Sequence, residues 1–472
     1  MSGPGQGALS LAQALSLGFS AVFLAYWCFI LAAYLRRKPS EPGDDAAFTW
    51  HLFVPCRDEA AVIGETLSYL RRHFPDTDVW VIDDDSDDDT ARIVRDIVDC
   101  DIAVHLVQRR RPDARTGKGD ALNDAYRALL AHLGPDAALD RVIVGVVDAD
   151  GRPSPGCLAA VAGPALFGDE RMGGVQVEVR IMNRVERTPL ADRGRIANLG
   201  ARTLVRMQDV EFRTVIGAVQ TSRRRTHTVG MGGNGQFTRL SALAALDNGD
   251  GRAWRGSLLE DFELGLHLLL AGYDNAFCPD AWVDQEGLPN IRRYLTQRTR
   301  WGQGVMQCMR YLPRVWSSTN LSTSGALEIS YYLFQPWLTL LGSLVYPLPL
   351  AAMIIAATRA GMTPGSFLAN GGWAIIAMYL TLGTAPFLIW GPIYRRRCEP
   401  TSTRRAAWGW GLAYFAYVYT FYITSWRAFI RIARGQHTWS KTQRNAEFDA
   451  STNPDLAISV APAGALFQGS IQ

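Results

Sequence analysis

The sequence predicts an α/β domain with a Rossmann-like, doubly wound sheet, combined with transmembrane and interfacial α-helices at its two ends. Two patterns carry that expectation. From residue 39 to about 320, short β-rich runs alternate with helical patterns: His51 to Pro55 and Val79 to Ile82 read as strands, Ile63 to His73 and Thr90 to Cys100 as helices, and Val142 to Val147 as a buried strand. Outside that interval lie long apolar runs, at 9–35, 326–357, 372–394 and 407–430.

The first run carries no charge and is long enough to cross about 30 Å of hydrocarbon at 1.5 Å per residue. It ends in Arg36-Arg37-Lys38, which pins that end to the cytoplasm and places the domain that follows on the same side. A secretory signal peptide is the alternative; the apolar run exceeds the 7–15 residues usual for such a core, and no charge precedes it. At the other end, Pro336, Pro347 and Pro349 predict a kinked first span, and Arg395-Arg396-Arg397 with Arg404 and Arg405 mark a cytoplasmic loop after the second. The third run is crowded with Trp and Tyr. If it crosses fully, Arg427, Arg431, Arg434, Lys441 and Arg444 end outside, so either the charge rule fails there or one C-terminal segment lies along the interface. The resulting division is a transmembrane helix in 1–38, a catalytic domain in 39–284, interfacial amphipathic helices in 285–325, transmembrane or interfacial helices in 326–434, a loop in 435–449 and a disordered tail in 450–472. A multi-pass protein of the bacterial cell membrane with a cytoplasmic catalytic domain is the expectation.

Composition limits the function. The 472 residues are 48% hydrophobic, with 14 Trp and a net charge of only +3, which argues against a nucleic-acid binder driven by bulk charge. The seven cysteines are scattered, with no Cys-x-x-Cys pair, and read as free thiols in a reducing compartment.

In a doubly wound sheet, ligands sit beyond the carboxyl ends of the strands, so those ends are where chemistry is expected. The Val79 to Ile82 strand runs into six Asp in seven positions, 83–89. Such a charge density calls for a cation or a donor-rich ligand. Asp88 or Asp89 reads as a helix cap, whereas Asp83 and Asp84, at the strand end, suit hydrogen bonds from a nucleobase and a ribose. The Val142 to Val147 strand runs into Asp148-Ala149-Asp150, two carboxylates that point the same way in an extended turn and suit Mg²⁺ or Mn²⁺ against a diphosphate. Between them, Arg115 to Asn123 lacks the spacing of a nucleotide triphosphatase loop. Its Gly-Lys-Gly reads either as a surface turn or as a turn that brings Lys118 and helix amides toward a diphosphate. Glu260 and Asp261 open an amphipathic helix that ends at Gly272; dipole reasons alone favour acids there, and the functional reading makes Asp261 a general base. The Gly-dense 230–235 stretch suits a backbone that approaches a ligand closely.

Taken in order, these elements resemble a membrane-embedded family-2 glycosyltransferase of the GT-A fold, most like the processive synthases of cellulose, chitin, hyaluronan and poly-N-acetylglucosamine. The likeness runs from Phe53 to Trp301. It rests on Val54-Pro55-Cys56-Arg57-Asp58-Glu59, Asp83-Asp84-Asp85-Ser86, Gly117-Lys118 through Asn123, Asp148-Ala149-Asp150, Leu259-Glu260-Asp261, and Gln297-x-x-Arg300-Trp301. The resemblance implies a nucleotide-sugar donor, usually a UDP-sugar, with the base near Asp83 and Asp84. It implies a divalent cation, Mg²⁺ or Mn²⁺, on Asp148 and Asp150 with Lys118 and Arg300 assisting. Asp261, with Glu260 beside it, would be the base of an inverting transfer, and Gln297 and Trp301 would hold the acceptor. The 297–301 segment also reads as a basic helix on a membrane surface, with Arg298 turned toward lipid. Trp439, Lys441, Thr442 and Arg444 resemble the lid of some synthases, or else form a basic loop on anionic headgroups.

Three departures stand. Asp85 occupies a position where Gly is usual, Leu259 replaces a hydroxyl residue, and only three apolar segments follow the domain, where a wide secretion channel needs more. A compact synthase, a channel completed by a second copy or an accessory secretion protein, or no channel at all would each account for the last. The leading expectation is a processive polysaccharide synthase coupled to translocation. The alternatives are a non-processive transferase adding one or a few sugars to a membrane lipid, with a glycan or glycolipid as acceptor in either case, and a non-catalytic scaffold, against which the three carboxylates weigh.

Overall fold

A computed structural model describes residues 4–436. An eight-stranded mixed sheet lies at its centre, built from β1 (Thr49–Cys56), β2 (Asp78–Asp84), β3 (Val104–Arg109), β4 (Val142–Val146), β5 (Arg152–Pro153), β6 (Met172–Ile181), β7 (Gln236–Arg239) and β8 (Asp274–Gln285), in the order β3-β2-β1-β4-β7-β6-β8-β5. β3, β2, β1 and β4 are parallel, while β7 runs antiparallel to both β4 and β6. Strand order reverses between β1 and β4. The carboxyl ends of β1, β2 and β4 therefore open onto one crevice, the place where such sheets bind ligands.

The strands form because their residues suit both faces. Trp50, Leu52 and Val54 of β1 and Val79 and Val81 of β2 enter one apolar layer, and the intervening Phe53, Trp80 and Ile82 enter the opposite one. The helix Ile63–His73 has the predicted bounds; that at Thr90 ends at Val98, two residues early. Asp89 holds the cap position there without a side-chain cap bond, and Asp88 before it accepts from the Thr90 amide at 2.9 Å. All seven cysteines are free thiols.

The apolar runs behave differently from expectation. Among the described residues, one helix is long and apolar enough to cross a membrane, Leu17–Leu35, with mean hydropathy 1.9. The run 326–357 is divided at Tyr346 into Thr323–Val345 and Pro347–Arg359, and 372–394 into Trp373–Leu388 and Trp390–Arg397. The unbroken Arg404–Ala433 helix is diluted by Arg404, Arg405, Arg427, Arg431 and its many Tyr and Trp. At both junctions the backbone stays helical: the Tyr346 amide donates to the Gly342 carbonyl at 3.0 Å and the Ile389 amide to the Ala385 carbonyl at 3.2 Å. The 285–325 interval is largely helical. Its helix Ile291–Cys308 is packed between the sheet's crevice and the helices Thr323–Val345 and Arg404–Ala433, with Tyr294, Thr299 and Gln303 buried.

Two glycines set the closest approach among these helices. A Cβ on Gly391 would collide with the backbone of Ala407 and Gly411, and one on Gly411 with the carbonyl of Leu388. Gly411→Val is therefore expected to cost about 1–3 kcal/mol by overpacking, read as a lower Tm in detergent. Gly409→Ala, which meets nothing within 4 Å, should leave Tm within a degree or so apart from helix propensity. Equal Tm values for the two variants would show that the helices are not in contact there.

Candidate functional site

The crevice deepens into a cavity of about 330 Å³. Asp84, Lys118, Asp148, Asp150, Glu260, Asp261, Gln297, Arg300 and Trp301 all line it, so residues spread over more than two hundred positions meet at one place. Asp83 is fully buried and lies outside the lining: its carboxylate accepts from the Ser86 amide at 3.1 Å and from Gln108 at 3.3 Å, folding the turn instead of facing the cavity. Trp439, Lys441, Thr442 and Arg444 lie outside the described residues. The chain reaches that segment from Gln436, whose carbonyl accepts from the buried Gln303 at 2.6 Å.

Each wall has an identifiable cause. Asp84 is held by Arg109 and by the Arg115 amide, 2.9 Å away. Asp85 has φ of 60°, the left-handed region that favours Gly and tolerates Asp, and its carboxylate meets Arg110, Arg111 and Arg115. The Asp148–Asp150 turn is pinned by Thr66, which donates to the Ala149 carbonyl at 2.6 Å, and Asp150 accepts from the Glu286 amide at 3.1 Å. Lys118 opens the helix Lys118–Leu133 and places Nζ 2.7 Å from Asp148 Oδ1 and 2.7 Å from the Gly233 carbonyl. Two motif residues brace the loop that carries Glu260. Gly119 packs 2.9 Å (as a Cβ) from the Arg255 carbonyl, and Asn123 bonds both the amide and the carbonyl of Trp254 at 2.9 Å.

Sequence reasoning missed Asn234. Its side chain accepts from the Asp148 amide at 3.2 Å and donates to Gln285 at 2.9 Å, and its carbonyl accepts from Gln176. The signal was the one polar residue inside the Gly-dense stretch, where a Cβ on Gly233 would lie 3.0 Å from Asp261 Oδ2 and from Lys118 Nζ. Glu59, Glu178 and Glu286, also missed, add to the lining.

Arg298 departs most from expectation. It is 5% exposed and points inward, not toward lipid: Nη2 lies 2.7 Å from Glu211 Oε2, which also accepts from Tyr417 at 2.5 Å. Its guanidinium stands 4.2 Å from the Trp301 ring centroid and also over Phe212 and Tyr294. Glu211 begins a π-helical turn, Glu211–Ile216, inside the long helix that starts at Arg195. That turn sends Glu211 inward and presents Phe212 and Ile216 to the cavity.

The lining combines charged side chains, among them Asp84, Lys118, Asp148, Asp150, Asp261 and Arg300, with apolar and aromatic ones, among them Phe212, Ile216, Met231, Leu259, Trp301 and Tyr332. Eight carboxylate residues line it against three cations, Arg57, Lys118 and Arg300, an excess of negative charge that suits a bound dication. Among the described residues no group of three or more His, Cys, Asp or Glu could hold a metal alone; a pair such as Asp148 and Asp150 suits a cation that takes further oxygens from a ligand. Burial, and next the Glu260 carboxylate, push the Asp261 carboxyl up to about 7, with Lys118 and Arg300 opposing. Glu260 is raised by burial too. The neighbouring Asp148, Glu260 and Asp261 raise the Lys118 ammonium despite its burial.

The family model described as "Glycosyltransferase like family 2" matches residues 49–304. A beta-monoglucosyldiacylglycerol synthase of Trichormus variabilis is 28% identical over 300 residues, 63% of this chain and 56% of that protein. A probable glycosyltransferase YdaM of Bacillus subtilis is 24% identical over 257 residues, 54% of each chain. The chain thus spans about half the length of the curated relatives it matches. Among solved structures, the mannosyltransferase PcManGT of Pyrobaculum calidifontis, in complex with GDP-Man and Mn²⁺, superposes with a TM-score of 0.53 at 19% identity, covering 90% of this chain and 97% of that one, a likeness of fold.

The Asp261 environment makes a signed prediction. The native state holds this proton up to about pH 7, whereas an unfolded Asp releases it near pH 3.9. Stability from the bound proton is complete below the unfolded value and is lost as pH rises through 7. Asp261→Asn should therefore gain stability over the unchanged protein, by on the order of 1 kcal/mol per pH unit between about 4 and 7 and then constant. Thermal unfolding at pH 5 and pH 8 checks this; a gain of the same size at both would mean the carboxyl is not desolvated.

Proposed function

The chain belongs to glycosyltransferase-like family 2 and is a transferase of the GT-A fold, and from that premise we propose that it moves one sugar, or a few, from a nucleotide-sugar to a hydroxyl of a membrane lipid without processive extension. The mixed lining of the cavity carries this reading: charged groups that suit a nucleotide diphosphate stand in one cavity with apolar and aromatic side chains that suit a lipid acceptor. The relatives' names point the same way, since a beta-monoglucosyldiacylglycerol synthase glycosylates a diacylglycerol. The processive, polymer-extruding reading drew on the order of the motifs; the apolar part of the lining and the lipid-acting relatives favour the alternative. Membrane association is supported by the helix Leu17–Leu35. The proposed division is a membrane helix, a catalytic domain from β1 through β8, and helices after 290 that wall the acceptor side.

In this scheme Asp84 faces the nucleoside, and Lys118 and Arg300 compensate the diphosphate charge. Asp148 and Asp150 would hold Mg²⁺ or Mn²⁺, which when bound supplies Lewis-acid stabilisation of the departing diphosphate. Asp261 takes the proton of the acceptor hydroxyl as its oxygen attacks the sugar carbon from the face opposite the leaving group, which inverts the anomeric centre. Glu260 sets the charge that keeps Asp261 basic. Gln297 and Trp301 line the acceptor side, where an aromatic face covers the C–H surface of a sugar or glycerol. A UDP-sugar is the proposed donor.

The purified chain in liposomes with Mg²⁺ or Mn²⁺, nucleotide sugars and diacylglycerol is expected to yield a discrete glycolipid; long polymer made from the donor alone would reject this reading. Asp261→Asn should lower transfer by about 10³-fold or more while nucleotide binding persists, and Asp150→Ala should weaken the metal-dependent part of that binding. The unchanged enzyme's kcat/KM should rise about tenfold per pH unit below roughly pH 7 and level above it, as expected of a base that must be ionised. Ile216→Asp, in the apolar part of the lining, should raise KM for the lipid and leave KM for the nucleotide-sugar nearly constant.

A further inference from the structure

The helix Arg195–Val210 buries Ala201, Val205 and Met207 against the body of the protein, yet its first two turns do not follow that rule. Ile196 is 88% exposed and Leu199 62%, and Val185 in the turn before them is 67% exposed. Arg187, Arg193, Arg195 and Arg202, close to them in sequence, are exposed as well. From Arg184 to Arg206 the chain carries six arginines against Glu186 and Asp192. Apolar tips accompanied by exposed arginines suit a surface that is hydrocarbon beneath and anionic above.

The contacts of this segment give its level relative to the candidate membrane helix. Arg397 Nη2 donates to the Leu35 carbonyl at 2.5 Å, at the basic end of Leu17–Leu35. From the same Trp390–Arg397 helix, Tyr394 accepts from Arg206 at 3.1 Å, and just beyond it Glu399 meets Arg184 at 3.0 Å and Arg206 at 3.6 Å. The exposed apolar patch is therefore strapped beside the helix end that carries Arg36, Arg37 and Lys38, where phospholipid headgroups would lie.

We propose that Val185, Ile196 and Leu199 insert into the headgroup boundary of an anionic bilayer, with Arg187, Arg193, Arg195 and Arg202 on its phosphates, as a second attachment separate from Leu17–Leu35. The attachment orients the helix whose continuation, Glu211–Ile216, contributes Phe212 and Ile216 to the cavity lining. It does not depend on which sugar or acceptor the site uses.

Hydrogen exchange of the full chain tests this in nanodiscs of phosphatidylcholine, in discs with added phosphatidylglycerol, and in detergent. Amides of 195–203 are expected to exchange about tenfold more slowly in the anionic discs than in detergent, with a smaller effect in phosphatidylcholine that salt does not change. Ile196→Asp with Leu199→Asp should remove that slowing while protection across 17–35 persists, which shows that the chain remains inserted. A charge variant, Arg187, Arg193, Arg195 and Arg202 to Gln, should lose only the difference between the two lipids. Exchange at 195–203 that is equal in all three media overturns the proposal. So does slowing in detergent that grows with protein concentration, because a second copy would then cover the patch. Either result would leave the glycolipid assay, and the reading it tests, untouched.

Discussion

The buried pair of Glu211 and Arg298 is the interaction on which the arrangement of the site depends. It joins three parts of the chain that are far apart in sequence: the π-helical turn, the helix Ile291–Cys308, and, through Tyr417, the long helix Arg404–Ala433. Burial pushes the Glu211 carboxyl up and the Arg298 charge pulls it back, so neither partner is tolerable without the other. Removing one partner of such a pair costs about 3–5 kcal/mol, chiefly by stranding a charge, whereas the intact pair adds little net stability. What it supplies is registration. Trp301 takes its place on the cavity wall because the guanidinium beneath it is fixed, and Phe212 faces Trp301 edge-on at 6.2 Å because the turn that holds Glu211 points it there.

Much of this site was legible because its charged residues follow strands. A buried apolar run that ends in Asp148-Ala149-Asp150 announces itself, and so does a strand that ends in Asp83-Asp84. The departure at Asp85 was legible as well, since a position where Gly is usual is one where φ is positive, and Asp is among the few residues that accept it. Sequence could not separate Asp83 from Asp84. Adjacent strand residues point to opposite faces, and only the register of β2 beside β3 decides which of them meets the cavity.

Arg298 was misread because a basic, aromatic string has one composition whether it lies on lipid or under a protein. The spacing held more than the composition did: Tyr294, Arg298 and Trp301 are four and three residues apart and share one helical face. The C-terminal apolar runs pose a related problem. A hydrophobic run records what its residues prefer, not how successive helices join, and Tyr346 and Ile389 sit at such junctions with helical backbone angles. What Asn123 and Asn234 bond to was beyond reach, because their partners, Trp254 and Asp148, are distant in the chain.

Gly119 and Asn123 tie the first turns of one helix to the loop before another, so Lys118 and the Glu260–Asp261 pair belong to a single rigid unit. A change at either element is therefore felt at the other, and the proposed base cannot shift without Lys118. Phe212 is held by a separate device, the Glu211–Arg298 pair behind it. Two walls of one cavity thus have independent supports, one fixed by a glycine and an asparagine and the other by a buried ion pair.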